Sequence, residues 1–254
     1  MRHIIVAALA ALLLPASQLQ AEEKALSLEF KTGWYSRYVL EADTLCYPRP
    51  VAQSELTLTL NRKPLDGFYF NVWGSTGLGG SDSPDLKYGN KVDYTIGRVW
   101  GWKGFEFNAN LSYYDMGPVG STNGDIWHPM LEVGRPFHVW ERHKFTPFLR
   151  LTGVIPVKGT KPEGSMRVAA GARDSWQITQ NLAFKTMLWV MHDDGGCGRD
   201  SGYLVRCSPA GVDWSITENL TLSAAYVVSS PITHLKDDDR KTENVLGAWL
   251  TVRF

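Results

Sequence analysis

The sequence predicts an all-β protein: a twelve-stranded antiparallel transmembrane β-barrel with short periplasmic turns and long extracellular loops. Three observations carry that expectation. Five tight turns recur at intervals of 38 to 40 residues, usually with a tryptophan just before the turn. Between them, apolar and polar residues alternate over eight or more positions, which is the period of a strand with one apolar face and not that of a helix. The chain closes on "NVLGAWLTVRF", where Leu246, Ala248, Leu250, Val252 and Phe254 occupy every second position.

The first segment reads as an export signal. "MRHIIVAALAALLLPASQLQAEE" has a basic start at Arg2 and His3, an apolar run from Ile4 to Leu14, and small residues before an acidic pair. That is the layout of a secretory signal peptide, with Ala21 as the last residue removed. The run is too short for a membrane-spanning helix, which needs about 20 apolar residues. Residues 1–21 are therefore expected to leave, and residues 22–254 to form the barrel.

The turns follow in order. "NRKPLDGFYF" supplies Pro64, Asp66 and Gly67, and "WGWKGFEF" begins at Trp100. "WERHKF" begins at Trp140, while "WQITQNLAF" at Trp176 and "WSITENLTL" at Trp214 are near copies of each other. A period of this size also suits solenoids and propellers, so the content between turns decides. That content is strand: Leu56, Leu58 and Leu60; Phe105, Phe107, Ala109 and Leu111; Leu182, Phe184, Leu188 and Val190; Leu220, Leu222 and Ala224. Midway between the turns lie six long polar segments, such as "GLGGSDSPDLKYGN" and "SPITHLKDDDRKTE". Six long loops alternating with five short turns give twelve strands. Two strands of about 11 to 13 residues plus a long loop fill one period. A soluble sandwich has no reason to sort its loops by length. Trp100, Trp102, Trp140, Trp176 and Trp214 would form an aromatic girdle at one membrane interface.

The terminal strand fits the same picture. Lipid tolerates no open sheet edge, so the last strand must pair with the first. A final aromatic residue with apolar residues at alternate positions resembles the C-terminal signature of bacterial outer-membrane proteins. That resemblance implies recognition of Phe254 by the barrel-assembly machinery and residence in the outer membrane among its lipids.

Several stretches also resemble a family of uncharacterised proteobacterial outer-membrane proteins, the TorF-type porins. They are "GWYSRYVLEAD" from Gly33 to Asp43, "GFYFNVWGST" from Gly67 to Thr76, "VDYTIGRVW" from Val92 to Trp100, and the pair Tyr113 and Tyr114. The match lies mainly in the first half and departs at "SRYVLEAD", where relatives more often carry Arg-Gly. It implies a barrel and no established substrate.

Little in the chain points to catalysis. Lysines and arginines equal aspartates and glutamates at 26 each, and a net charge of zero argues against a nucleic-acid partner. A lipid-cleaving barrel needs a serine and a histidine together on the lipid face. His128, His192 and His234 fall in or beside long loops, His138 and His143 flank the third turn, and none alternates with a serine on a strand. No enzyme, cofactor or metal site is expected. "HDDGG" from His192 and "DDD" from Asp237 have oxygen ligands suited to calcium, but no EF-hand spacing. Cys197 and Cys207 are expected to form a disulfide in the oxidising envelope, which leaves Cys46 over; a bridge from Cys46 to either of them is the open alternative.

The inward charges are the informative residues. With each apolar register outward, Glu29, Lys31, Glu55, Asp93, Glu106 and Glu132 point inward from the first six strands. Arg150, Arg167, Arg173 and Lys185 point inward from the next three, with no acid expected beside them. An acidic wall (Glu55, Asp93, Glu106, Glu132) then faces a basic one. Such walls either pair and plug the lumen or impose a transverse field on a passing solute. The expectation is a porin-like channel for small polar solutes, anionic or zwitterionic. The alternative is a non-conducting structural or surface-binding barrel.

Overall fold

The structure is a computed structural model that describes residues 25–40, 44–78, 90–115, 124–157, 164–195, 201–233 and 241–254. The signal-peptide reading of residues 1–21 lies outside the described residues, as do Cys197, His234 and the Asp237–Asp239 run.

Twelve strands close into one antiparallel barrel. In chain order they are β1 (Leu26–Tyr35), β4 (Val51–Leu60), β5 (Phe68–Gly77), β6 (Lys91–Trp102), β7 (Phe105–Asp115), β8 (Ile126–Gly134), β10 (His143–Pro156), β11 (Ser165–Gln177), β12 (Leu182–Asp193), β13 (Gly202–Ser215), β14 (Leu220–Pro231) and β15 (Glu243–Arg253). Each pairs with its neighbour, and β1 pairs with β15 from Glu29↔Arg253 to Tyr35↔Gly247. Every barrel strand therefore has two partners, so its backbone donors and acceptors are satisfied without water. The Phe254 amide donates to the Leu28 carbonyl at 2.9 Å, extending the closing ladder to the last residue.

Three short strands depart from the simple count. β9 (Phe137–Trp140) continues β8 after Pro136, which has no N–H to give the ladder; the chain resumes pairing on β10 at Phe137↔Phe145. β2 (Tyr38–Leu40) and β3 (Thr44–Tyr47) form a separate hairpin from the first long loop. The two-residue turn Lys103-Gly104 has positive φ at both residues (50° and 81°), the conformation two-residue hairpins favour and glycine admits without strain.

The register fixes which residues see lipid. Leu246, Ala248, Leu250 and Val252 lie on the outward row of β15, as the terminal alternation predicts. Large apolar side chains are widely exposed on these rows, for example Leu149 at 62%, Ile96 at 59% and Leu246 at 52%. In water such a surface would be an aggregation site; in a bilayer it is the lipid belt. Trp102, Trp140, Trp176 and Trp214 are exposed beside the short turns, and Trp100 stacks on Phe107 at 5.2 Å. At the opposite rim, Trp34, Trp127 and Tyr203 are exposed. Exposed aromatic residues thus stand near the short turns and at the opposite rim.

The first correction concerns the first long loop. Its sequence reads as a polar extracellular segment, yet the hairpin it forms is buried: Tyr38 is 6% exposed, Cys46 2% and Tyr47 4%. They pack with Val51, Tyr35 and Trp73 on the lumenal side of the wall. Aromatic residues at Tyr38 and Tyr47 gain more from burial than from solvent, which draws the loop inward.

Candidate functional site

The lumen is built from the inward rows. Glu29, Lys31, Glu55, Asp93, Glu106, Glu132, Arg150, Arg167, Arg173 and Lys185 all fall on these rows, as the sequence predicts. They do not form two opposed, unpaired walls.

The basic residues have acids beside them, and this overturns that part of the expectation. Arg150 bonds Glu132 through Nε at 2.9 Å and Nη2 at 2.6 Å, and Arg173 Nη2 reaches the same Oε2 at 2.7 Å. Arg167 pairs with Asp193 at 3.0 Å, deep in the wall at 6% and 0% side-chain exposure. Lys185 pairs with Asp213. Two of these acids escaped the sequence reading for identifiable reasons. Asp193 sits in a stretch that reads as loop but is the last residue of β12. Asp213 changes face because a bulge between Cys207 and Ala210, at Pro209, shifts the register of β13. Arg206 and Ser208 point inward above the bulge, and Gly211 and Asp213 below it.

The acidic wall is similarly engaged. Lys91 is fully buried at its side chain and pairs with Asp93 at 2.9 Å. Its ammonium sits 3.7 Å from the Tyr114 ring centroid and 5.5 Å from that of Trp73, and donates to the Tyr38 hydroxyl at 3.3 Å. A cation in an aromatic cage with one carboxylate is well stabilised without water. It ties the hairpin to β5–β7, while Arg37 pairs with Glu243 of β15 on the other side. Glu106 is bridged by Lys144 at 3.3 Å, and Glu29 by Arg253 at 2.7 Å.

Two cavities occupy the lumen. The first, about 680 Å³, runs along the β4–β8 wall beneath the hairpin and includes Glu55, Asp93, Arg150 and Arg206 in its lining. The second, about 610 Å³, lies toward the short turns, along β10–β15 and β1. Arg150 lines the first and Arg173 the second, so the Arg150–Glu132–Arg173 cluster stands between them. Both guanidiniums also lie over Phe148, with Arg173 at 4.2 Å from the ring centroid.

Phe148 belongs to an apolar cluster inside the barrel with Ala169, Trp189, Met191 and Leu204. An interior core was not expected. β12 is apolar on both faces, so alternation alone gives no sign of it: Leu188 and Val190 meet lipid while Trp189 and Met191 fill the lumen.

His128 also differs from expectation, while His143 flanks the third turn as expected. His128 is on an inward row of β8, 5% exposed and stacked on Tyr114, and so is not a solvated loop residue. His143 pairs with Asp174 between Trp140 and Trp176 on the outer face near the short turns. Cys207 is a free thiol on the outward row of β13, opposite Leu188 and Val228. It lies five residues below Gly202, about 17 Å along the strand. Cys197, its expected partner, lies outside the described residues.

No family model matches the chain, and no curated protein does. Solved structures do. The NanC porin, in a rhombohedral crystal form, superposes with a TM-score of 0.55 at 10% identity, over 89% of this chain and 98% of that one. The fold is that of outer-membrane β-barrels. The KdgM porin gives 0.53 at 8% identity, over 90% and 99%. An outer-membrane channel from Pseudomonas putida F1 gives 0.52 at 9% identity, over 95% and 100%. At such identities the likeness is one of fold, and the contents of this lumen are the chain's own.

Proposed function

We propose that this barrel is a porin-like channel of the bacterial outer membrane for diffusion of small polar solutes, with a preference for anionic and zwitterionic ones. The observation that carries this reading is the Arg150–Glu132–Arg173 cluster. Two guanidiniums share one carboxylate between two lumenal cavities, which leaves one positive charge in excess where a solute passes from one to the other. The lining of the second cavity supports the same sign: five inward cationic side chains (Lys31, Lys144, Arg173, Lys185, Arg253) stand against three inward carboxylates (Glu29, Glu106, Asp213), while Asp174 borders it from the outward row. Charges in a confined lumen act on a solute more strongly than the same charges on an open surface. The sequence motifs favour the TorF-type porins as its family. The outward Leu246–Phe254 row suits lipid contact and recognition by the assembly machinery.

A catalytic role is not part of the reading. The serine next to the outward His143–Asp174 pair in sequence, Ser175, lies on the inward row between Asp174 and Trp176 and does not face the pair. A non-conducting structural barrel is the second reading, favoured by the inward hairpin and the Phe148–Trp189–Met191–Leu204 core.

Reconstitution in a planar bilayer separates the two. A channel gives discrete conductance and, in a potassium chloride gradient, a reversal potential on the chloride side. Replacing both Arg150 and Arg173 by glutamine moves that potential toward the potassium side. A folded wild-type barrel silent at every salt concentration refutes the channel and leaves the structural reading.

A further inference from the structure

The first cavity has a chemical character that the charges do not explain. Its lining carboxylates, Glu55 and Asp93, are matched in number by its guanidiniums, Arg150 and Arg206. Most of what remains is neutral hydrogen-bonding groups, with Val39, Leu40, Val99 and Met130 interspersed among them. One lateral row runs Thr57↔Asn71↔Thr95↔Ser112 across four strands. Within it Asn71 donates to Thr57 at 2.8 Å and to Glu55 at 2.7 Å, and Thr95 and Ser112 share a 2.7 Å bond.

The next row toward the short turns holds an aromatic platform. Tyr69 pairs with Gly97, and a Cβ at Gly97 would fall 2.5 Å from the Tyr69 ring. The absence of a side chain there lets the ring lie flat across the neighbouring strand. Its hydroxyl is held at the far end, donating to Asn108 at 3.1 Å and accepting from Asn110 at 3.0 Å. The ring is thereby fixed in orientation while it lines the cavity. A flat aromatic face beside a row of amides and hydroxyls suits a solute with an apolar C–H face and a rim of hydroxyls, each both donor and acceptor.

We propose that the β4–β8 wall is a binding track for hydroxyl-rich solutes without net charge, of monosaccharide to disaccharide size. Tyr69 stacks on the sugar ring, and Asn71, Thr95, Asn110 and Glu55 take its hydroxyls. The inference deepens the channel reading and rests on it for the route by which solute reaches the wall.

The test adds glucose or maltose to the barrel in a planar bilayer, with a polyethylene glycol of similar size as the control. A saturable fall in ion current with sugar, absent with the glycol, is expected. Tyr69→Ala should weaken it at least tenfold. Tyr69→Phe keeps the ring and loses only the clamp, so it should weaken binding less, and the outward Phe70→Ala should leave it unchanged. Folding of each variant is checked by its heat-dependent gel mobility. A sugar effect no greater than the glycol's, in a conducting barrel, overturns the track and leaves the channel standing. If the barrel does not conduct, maltose titration of tryptophan fluorescence in detergent decides. Saturation weakened by Tyr69→Ala keeps the track while the channel fails, and no saturation refutes the track as well.

Discussion

Glu132 is the residue whose replacement tests the partition most directly. Glu132→Gln keeps the side-chain volume and removes the one carboxylate that Arg150 and Arg173 share. The excess charge between the cavities then rises by one. For an ion passing about 5 Å away in a water-filled lumen, one added charge is worth about 0.8 kcal/mol. That is roughly a fourfold gain in local anion concentration and a similar loss for cations, so the permeability ratio should shift on the order of tenfold. The two arginine side chains are 26% and 40% exposed, so water-like screening is the limit that applies to the passing ion. Glu132 itself is buried while its partners are half-open, so the stability cost falls between about 1 kcal/mol, as for an exposed pair, and about 3 kcal/mol, as for a buried one. The assay is the reversal potential across a bilayer in a potassium chloride gradient, repeated from low salt to 1 M. The shift should fade at high salt, because the Debye length falls to about 3 Å. An unchanged reversal potential in a folded, conducting variant would show that solutes do not pass this cluster, and would refute the reasoning.

Three further outcomes are expected. Deleting Phe254 removes the last rung of the β1–β15 ladder and the terminal aromatic, so it should lower the yield of the compact, heat-modifiable form on gels; an unaltered yield would count against the terminal residue's role in assembly. Tyr38→Ala removes the ring packed 5.3 Å from Trp73 and the hydroxyl that accepts from Lys91, loosening the inward hairpin. Single-channel conductance should rise, and a fall or no change would mean that the hairpin does not narrow the passage. A water-soluble maleimide should label neither Cys46, which is 2% exposed, nor Cys207, on the lipid face, until the barrel is unfolded. Mass spectrometry of the two peptides checks this, and labelling of Cys207 in the folded barrel would contradict its outward register.

The alternation along β7, β10, β11, β12 and β15 and the spacing of the turns determined the number of crossings, the lipid-facing rows and the lumenal side of Arg150, Arg167, Arg173 and Lys185. These are local properties. A bilayer demands an apolar residue at every second position of each strand, independently of its neighbours, so one strand's sequence is enough to read them. What those side chains meet inside was settled by the tertiary structure. Glu132 is 18 residues from Arg150 and 41 from Arg173, and only the closed register brings all three together. Pro209 moved Asp213 to the inner face, because one extra residue reverses every later side chain on its strand. The inward hairpin and the Phe148–Trp189–Met191–Leu204 cluster were equally hidden. Lipid constrains only the outer rows, so the inner rows can be filled with polar or apolar groups, and the lumen's contents depend on contacts between strands far apart in the chain.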